Sequence, residues 1–450
     1  MSFSSIITFI ADNIWSFPLL IGIFCICLFI TLQLRFVQFR YFFSSIRMVF
    51  GSGTDEHVSA PKVGDLTALQ AFINTLGANI GNGSLGGIPV AICVGGPGAI
   101  FWLLVMSTFA VALRYAEVYL GMAFIGKYRF GSAKGGPMLY LSLLPGGFFF
   151  SYAFAIFCLG YAVSCGNAFQ CNTVGLALSK TWNIDPFTTA FFVLAFISYI
   201  LLGGSSRIIK YLDMLVPFKV ILFIGSSLIV LLYNYQAIPH AFYLIFQGAF
   251  YPQAFVGGSF VFAMQKMIQQ GFQRGLLIHE AGLGTAAVAF GTTSGQRSVK
   301  DSIMSMLGVY VNTHIICLMI ALTILSSGVW GNGSGDTSSA LMVSAYESVF
   351  GWVGGWIISF LTINFGVSVL VSYAYLGRVC WSFLTDGKYM YGFTLLYAAC
   401  AFFGTYMDVY LILSISDLIN AGLFILNVFG ILWFVRMISK DLKSYESQRD

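Results

Sequence analysis

Apolar runs of about 20 residues, parted by short polar or basic stretches, recur along the whole chain. A helix that crosses a bilayer needs about that length. The pattern predicts eleven spans, at 15–34, 67–93, 97–121, 147–178, 188–204, 211–233, 245–271, 302–326, 352–376, 390–406 and 411–435. The first apolar run lacks the basic n-region and small-residue cleavage site of a secretory signal, so it reads as a retained helix.

The second span is not uniformly apolar. Gly77, Gly81, Gly83, Gly86 and Gly87 crowd its middle, with Asn74, Asn79, Asn82 and Ser84 among them. Each Gly weakens a helix by about 1 kcal/mol relative to Ala, and unsatisfied backbone cannot face lipid. The composition therefore predicts an unwound segment facing a polar cavity within the protein. Carbonyls freed there can bind a cation, and the N-terminus of the following half-helix can bind a carboxylate. A Gly-xxx-Gly packing face accounts for the glycines but not for the interleaved amides. A second interruption is predicted near the middle of the chain, at Gly248 and Gly257-Gly258-Ser259. The two interruptions fall in the first helices of two five-helix halves, the expected mark of an inverted-repeat transporter. The boundaries expected are 1–66 for an extra N-terminal helix and loop, 67–233 and 234–436 for the repeats, and 437–450 for a tail.

Composition agrees with the pattern. Hydrophobic residues make up 58% and charged residues 9%, where soluble domains carry about 25% charged. The net charge of +5 matters less than its placement. With the N-terminus outside, Arg35, Arg40, Arg47 and Lys62 fall in the first cytoplasmic loop, and Lys127, Arg129 and Lys134 in the next. Arg207 and Lys210, then Arg274, Arg297 and Lys300, then Arg378 and Lys388 follow on the same side, with Arg436, Lys440, Lys443 and Arg449 in the tail. Lys180, Asp12, Asp185, Asp336, Glu347 and Asp408 fall outside. That asymmetry is the positive-inside pattern, with a cytoplasmic C-terminus.

Ionisable residues at membrane depth are functional candidates. Arg114 and Glu117 have the i,i+3 spacing of an intrahelical ion pair. Lys219 and Lys266 read as side chains that snorkel to the interface. Glu280 lies with Arg274 and His279 in a Gly-rich segment expected to be cytoplasmic, where a gating role fits Arg274 and Glu280. The nine cysteines form no CxxC pairs and have no His partners at metal-ligand spacing, which argues against zinc or a disulfide framework. There is no Gly-x-Ser-x-Gly elbow, HExxH or P-loop, so neither enzyme chemistry nor ATP-driven transport is indicated, and no cofactor is expected.

Several stretches, in order, resemble the alanine or glycine:cation symporter family. They are Arg35-Phe-Val-Gln-Phe-Arg40, Gly64-Asp-Leu-Thr-Ala-Leu-Gln-Ala71, Gly95-Gly-Pro-Gly-Ala-Ile-Phe-Trp102, Arg114-Tyr-Ala-Glu-Val118 and Gly135-Gly-Pro-Met138. Arg274-Gly-Leu-Leu-Ile-His-Glu-Ala-Gly-Leu-Gly-Thr285 and Asp417-Leu-Ile-Asn420 with Asn427 complete the series. The resemblance implies an all-α polytopic membrane protein of about eleven transmembrane helices. Its fold would be a leucine-transporter-like inverted repeat of two five-helix halves plus one N-terminal helix, in a bacterial inner membrane. It implies sodium-coupled symport of a small neutral amino acid, alanine or glycine. Thr75, Asn79, Gly81, Gly83, Gly257, Gly258, Ser259 and Tyr373 would face the substrate, and Gly77, Ile80, Ser84, Ser368 and Ser372 the sodium ion.

The chain also departs from the family. It reads Gly81-Asn-Gly-Ser84 where the family usually has Gly-Thr-Gly-Asn. It reads Tyr375-Leu-Gly-Arg378 where the family has Tyr-Tyr-Gly-Glu, and Val369 lies where neighbouring Thr residues are usual. These positions leave proton-coupled or exchange transport of another small amino acid open, and so does a membrane sensor that binds without transporting.

Overall fold

The computed structural model describes residues 13–51, 66–128, 130–251, 260–293, 298–332 and 339–448, with Ile7 and Ile10. Among these the apolar runs are helices and no strand forms. The helices that build the site are α1 (Phe17–Gln33), α2 (Ala68–Asn79), α3 (Asn82–Gly95), α4 (Gly98–Ala123) and α5 (Gly147–Trp182). There follow α6 (Pro186–Leu202), α7 (Gly204–Tyr233), α8 (Ile238–Phe250), α9 (Phe260–His279) and α10 (Thr285–Phe290). The last four are α11 (Ser298–Ser326), α12 (Val353–Leu384), α13 (Met390–Gly404) and α14 (Val409–Ser447). Six of them, α4, α5, α7, α11, α12 and α14, are long and apolar enough to cross a membrane.

Local chemistry sets the helix starts. Thr67 and Gln70 close a reciprocal capping box at α2, each side chain accepting from the other's backbone N–H at 3.1 Å. Asp185 accepts from the N–H groups of Phe187 and Thr188 with Pro186 in the first turn of α6, and Asp408 caps α14 through Tyr410.

Small residues set how closely the helices approach. Gly98, at the start of α4, abuts Gly248 of α8 backbone to backbone. Further along, Gly271 lies on Ala99 and Trp102, Gly275 on Leu103 and Ser107, Gly282 on Leu113, and Gly121 on Ala287. Since transmembrane helices associate through close van der Waals contact, α9 and α10 run alongside α4 in the same direction. This series puts residues 280–284 near the middle of α4, roughly 20 Å from its start at 1.5 Å per residue.

The basic loops gather at one end of the bundle. Arg40 pairs with Glu446 at 2.6 Å, Tyr119 donates to Asp441, and Ser132 donates to the Ser382 carbonyl at 3.0 Å. Gly204 lies beside Arg378 at that end. Trp182 meets Trp356 at the other end, among the acidic residues Asp185, Glu347 and Asp408.

Two differences from the predicted spans concern the site. The span expected at 245–271 is two helices, α8 and α9, and α9 continues to His279. Gly248 is not in a break but packs against α4, and Gly257, Gly258 and Ser259 lie outside the described residues. The second break comes after α9, at Glu280–Gly284, where Glu280, Gly282 and Gly284 take φ of 55°, 93° and 83°. Such angles suit glycine, and they turn the chain out of one helix and into the next.

Candidate transport site

The first break, at Ile80 and Gly81, parts α2 from α3. Ile80 leaves the helical region (φ −83°, ψ 92°) and Gly81 is extended (φ −142°, ψ −171°). The i→i+4 ladder stops there, so the last carbonyls of α2 and the first N–H groups of α3 lose their intrahelical partners. Gly81 also admits Val369 of α12 onto the backbone: a Cβ there would come within 2.5 Å of the valine.

The two breaks face each other. The Asn79 side chain donates to the His279 carbonyl at 3.0 Å, bridging the end of α2 and the end of α9. Asn312, in an i→i+5 turn of α11 (Tyr310–Cys317), donates to the carbonyls of Asn79 and Ile278 at 3.2 and 2.9 Å. Such π turns concentrate at functional sites. A second one in α5, Ser164–Ala168, brings Gly166 against the ring of Tyr373.

A buried ion pair on α4 staples the second break. Arg114 and Glu117 meet at 2.8 Å with side chains 1% and 0% exposed. Arg114 donates to the His279 carbonyl, where α9 ends. Glu117 accepts from the N–H groups of Gly282 and Gly284 at 2.8 and 3.1 Å, and from Asn427 at 3.2 Å. The spacing of the pair was readable in the sequence; its task was not, because its partners lie about 165 residues away.

The predicted site residues take distinct places. Thr75 is buried and its hydroxyl donates to the Ala71 carbonyl within α2. Gly83 is exposed between buried neighbours, and no atom lies within 4 Å of where a Cβ would be. Ser84 is buried in the first turn of α3. Tyr373 donates to Glu280, whose carboxylate also takes the hydroxyls of Tyr161 at 3.3 Å and Thr285 at 3.0 Å. Glu280 is thus buried in the break between α5, α10 and α12, not in a cytoplasmic loop. Arg274 is a half-buried residue of α9 against Gly87 of α3.

Gly77, Ile80, Ser368 and Ser372 do come together. The Ser372 hydroxyl lies where a Cβ on Gly77 would fall, at 2.5 Å. Between these groups sits a residue that the sequence pattern had assigned to the interface. Lys219 of α7 is fully buried, and its ammonium donates to the Gly77 carbonyl at 3.0 Å, to the Ile80 carbonyl and to the Ser368 hydroxyl. Burial follows from packing. Val216 and Leu212, one and two turns earlier on α7, lie against Gly77, so α7 is too close to α2 for the lysine to reach a membrane surface.

The model of the Sodium:alanine symporter family matches residues 1–450. The chain belongs to that family. It is 29% identical to the sodium/alanine symporter AgcS of Methanococcus maripaludis over 100% of this chain and 98% of that protein. It is 28% identical to the probable sodium/glutamine symporter GlnT of Bacillus subtilis, over 97% of this chain and 90% of the relative. To the putative sodium/proton-dependent alanine carrier protein YrbD of B. subtilis it is 27% identical, over 97% and 91%. Among solved structures, a mutant of the manganese transporter from Eremococcus coleocola superposes with a TM-score of 0.52 at 12% identity, covering 87% of this chain and 89% of that one. That likeness concerns the fold alone. The chain is therefore a multi-pass membrane transporter of a sodium/amino-acid symporter family and not an enzyme.

Proposed function

We propose that this chain imports a small neutral amino acid, alanine or glycine, by secondary active symport at the paired breaks. The observation that carries this reading is the juxtaposition of Ile80–Gly81 with Glu280–Gly284, tied through Asn79, His279 and Asn312. The freed N–H groups at the start of α3, beside the open position at Gly83, suit a substrate carboxylate. Carbonyls released at both breaks suit its ammonium group. A cation moving down its gradient drives the cycle, exchanging at the group formed by Gly77, Ile80, Ser368 and Ser372.

The helix order supports an inverted repeat of two five-helix units. One runs broken α2–α3, then α4, α5, α6 and α7; the other runs broken α9–α10, then α11, α12, α13 and α14. The clustered basic loops support a cytoplasmic C-terminus in a bacterial inner membrane, with the N-terminus outside. Alternating access then moves one group of helices against the other about the breaks.

Counterflow in proteoliposomes tests the transport reading, since it needs no driving ion. Labelled alanine or glycine should exchange against the same unlabelled amino acid inside. Binding without exchange would identify a sensor and refute the proposal.

A further inference from the structure

We propose that Lys219 is a tethered cation occupying the coupling-ion site, and that the exchangeable ion of this transporter is the proton on its Nζ. The inference rests on the transport reading above and specifies its ion.

A protonated lysine has three N–H donors and no acceptor. Lys219 finds three acceptors: two carbonyls released where α2 ends and one hydroxyl on α12. Carbonyls at the C-terminal end of a half-helix carry the negative end of its dipole, the kind of site where transporters coordinate coupling cations. The ring of Phe365 lies 5.4 Å below the ammonium and adds its negative face. The Ser372 hydroxyl stands beside Gly77 without a hydrogen-bond partner. Beside Ser368, Val369 presents methyl groups, so this part of α12 offers one hydroxyl fewer to a metal ion. A sodium ion on the same oxygens would lie against a like charge that is covalently part of the helix.

No carboxylate neutralises this ammonium: Lys219 forms no ion pair among the described residues. The titratable groups on the helices packed round it are turned elsewhere. Asp213 meets Gln70, Tyr373 meets Glu280, Tyr375 meets Thr292, and Tyr346 meets Ser226 and Ser227. His314 meets Thr108 and Thr313, Glu347 lies by Gly355, and Arg378 lies by Gly204. The charge therefore depends on the two released carbonyls, with the Ser368 hydroxyl and the Phe365 ring beside them, so moving α2 changes how well the proton is held.

The step balances simply. Ammonium releases H⁺ to water on the side to which the site opens, leaving a neutral amine with two donors and a lone pair. One of the three oxygens then loses its donor and faces that lone pair, which loosens α2 from α7 and α12. Reprotonation from the opposite side restores the clamp.

The full chain, purified and reconstituted, separates the ions. In sodium-free choline medium an inward proton gradient of one pH unit should drive alanine accumulation, with a ceiling of about tenfold for one proton per substrate. A sodium gradient at symmetric pH should drive none. Accumulation on the sodium gradient alone would overturn the assignment. If neither alanine nor glycine exchanges in counterflow, the substrate reading fails, and the ion is read from the melting temperature of the purified protein instead. Replacing choline chloride by sodium chloride should leave the wild-type Tm unchanged, while Lys219→Ala, or Lys219→Met should the first not fold, gains a sodium-dependent rise. A sodium-dependent rise in the wild type that Ser368→Ala removes would overturn the proposal, as would variants indifferent to sodium.

Discussion

Glu117→Gln removes a charge from the staple on the second break. The carboxylate holds Arg114 at 2.8 Å and accepts from Gly282 and Gly284 at 2.8 and 3.1 Å, in a place without solvent. A glutamine can still accept one of these bonds, but it leaves a buried guanidinium uncompensated. Removing one partner of a buried pair costs roughly 3–5 kcal/mol, against about 1.5–3 kcal/mol for an ordinary hydrogen bond to a charged group. With about 2.1 cal/mol/K of unfolding entropy per residue, a chain of this length shifts by about 1 °C per kcal/mol, so the apparent Tm in detergent should fall by roughly 3–5 °C. Unfolding of such a protein is commonly irreversible, so all variants are compared at one scan rate. Arg114→Met should cost a similar amount, since it strands the carboxylate. The double variant Arg114→Met with Glu117→Leu should be less damaged than the sum of the two, because no lone charge remains. A Glu117→Gln protein that melts within about 1 °C of wild type would refute the staple.

Gly77→Val should separate α2 from α7 and α12, because its Cβ falls 2.5 Å from the Ser372 hydroxyl and 2.8 Å from Val216. Overpacking of this kind costs about 1–3 kcal/mol, and counterflow should fall well beyond what the Tm loss explains. Tyr373→Phe removes one of the three hydroxyls on Glu280; transport rate or KM should change at least several-fold in a counterflow assay, while protein yield is kept. Arg40→Ala breaks an ion pair whose side chains are 39% and 17% exposed. Exposed pairs contribute about 0–1 kcal/mol, so Tm and transport should stay close to wild type.

How far the sequence reveals this molecule depends on which interactions are local. The first break was legible because its cause is local: glycines at 77, 81 and 83 with interleaved amides cannot make a good helix. Gly77, Ile80, Ser84, Ser368 and Ser372 were expected at one ion, and the fold gathers four of them round Lys219 and Gly77, two from the end of α2 and two from α12, while Ser84 lies in the first turn of α3. Of the second interruption as expected, Gly248 lies within α8, and Gly257, Gly258 and Ser259 lie outside the described residues. The turn at Glu280–Gly284 was not legible, because it depends on Arg114 and Glu117 reaching across from α4. Lys219 was misread for the same reason. Nothing near it in sequence shows that α7 lies on Gly77, and its three acceptors are 139 to 149 residues away. Asn312 sits in an apolar span and gave no signal except being an amide at membrane depth. The sequence clues that pointed toward the ion were the departures from the family's usual residues at Asn82, Ser84, Val369 and Arg378, and of these Val369 lies beside Ser368.

If the Lys219 ammonium rather than a metal ion fills the cation site beside the first break, a proton must accompany the substrate. Liposomes holding the wild-type chain and an internal pH dye, in sodium-free medium, are given external alanine. The expected result is acidification of the lumen that starts with alanine and is absent from empty liposomes. Alanine entry without acidification, together with uptake of labelled sodium once sodium is supplied, would contradict it.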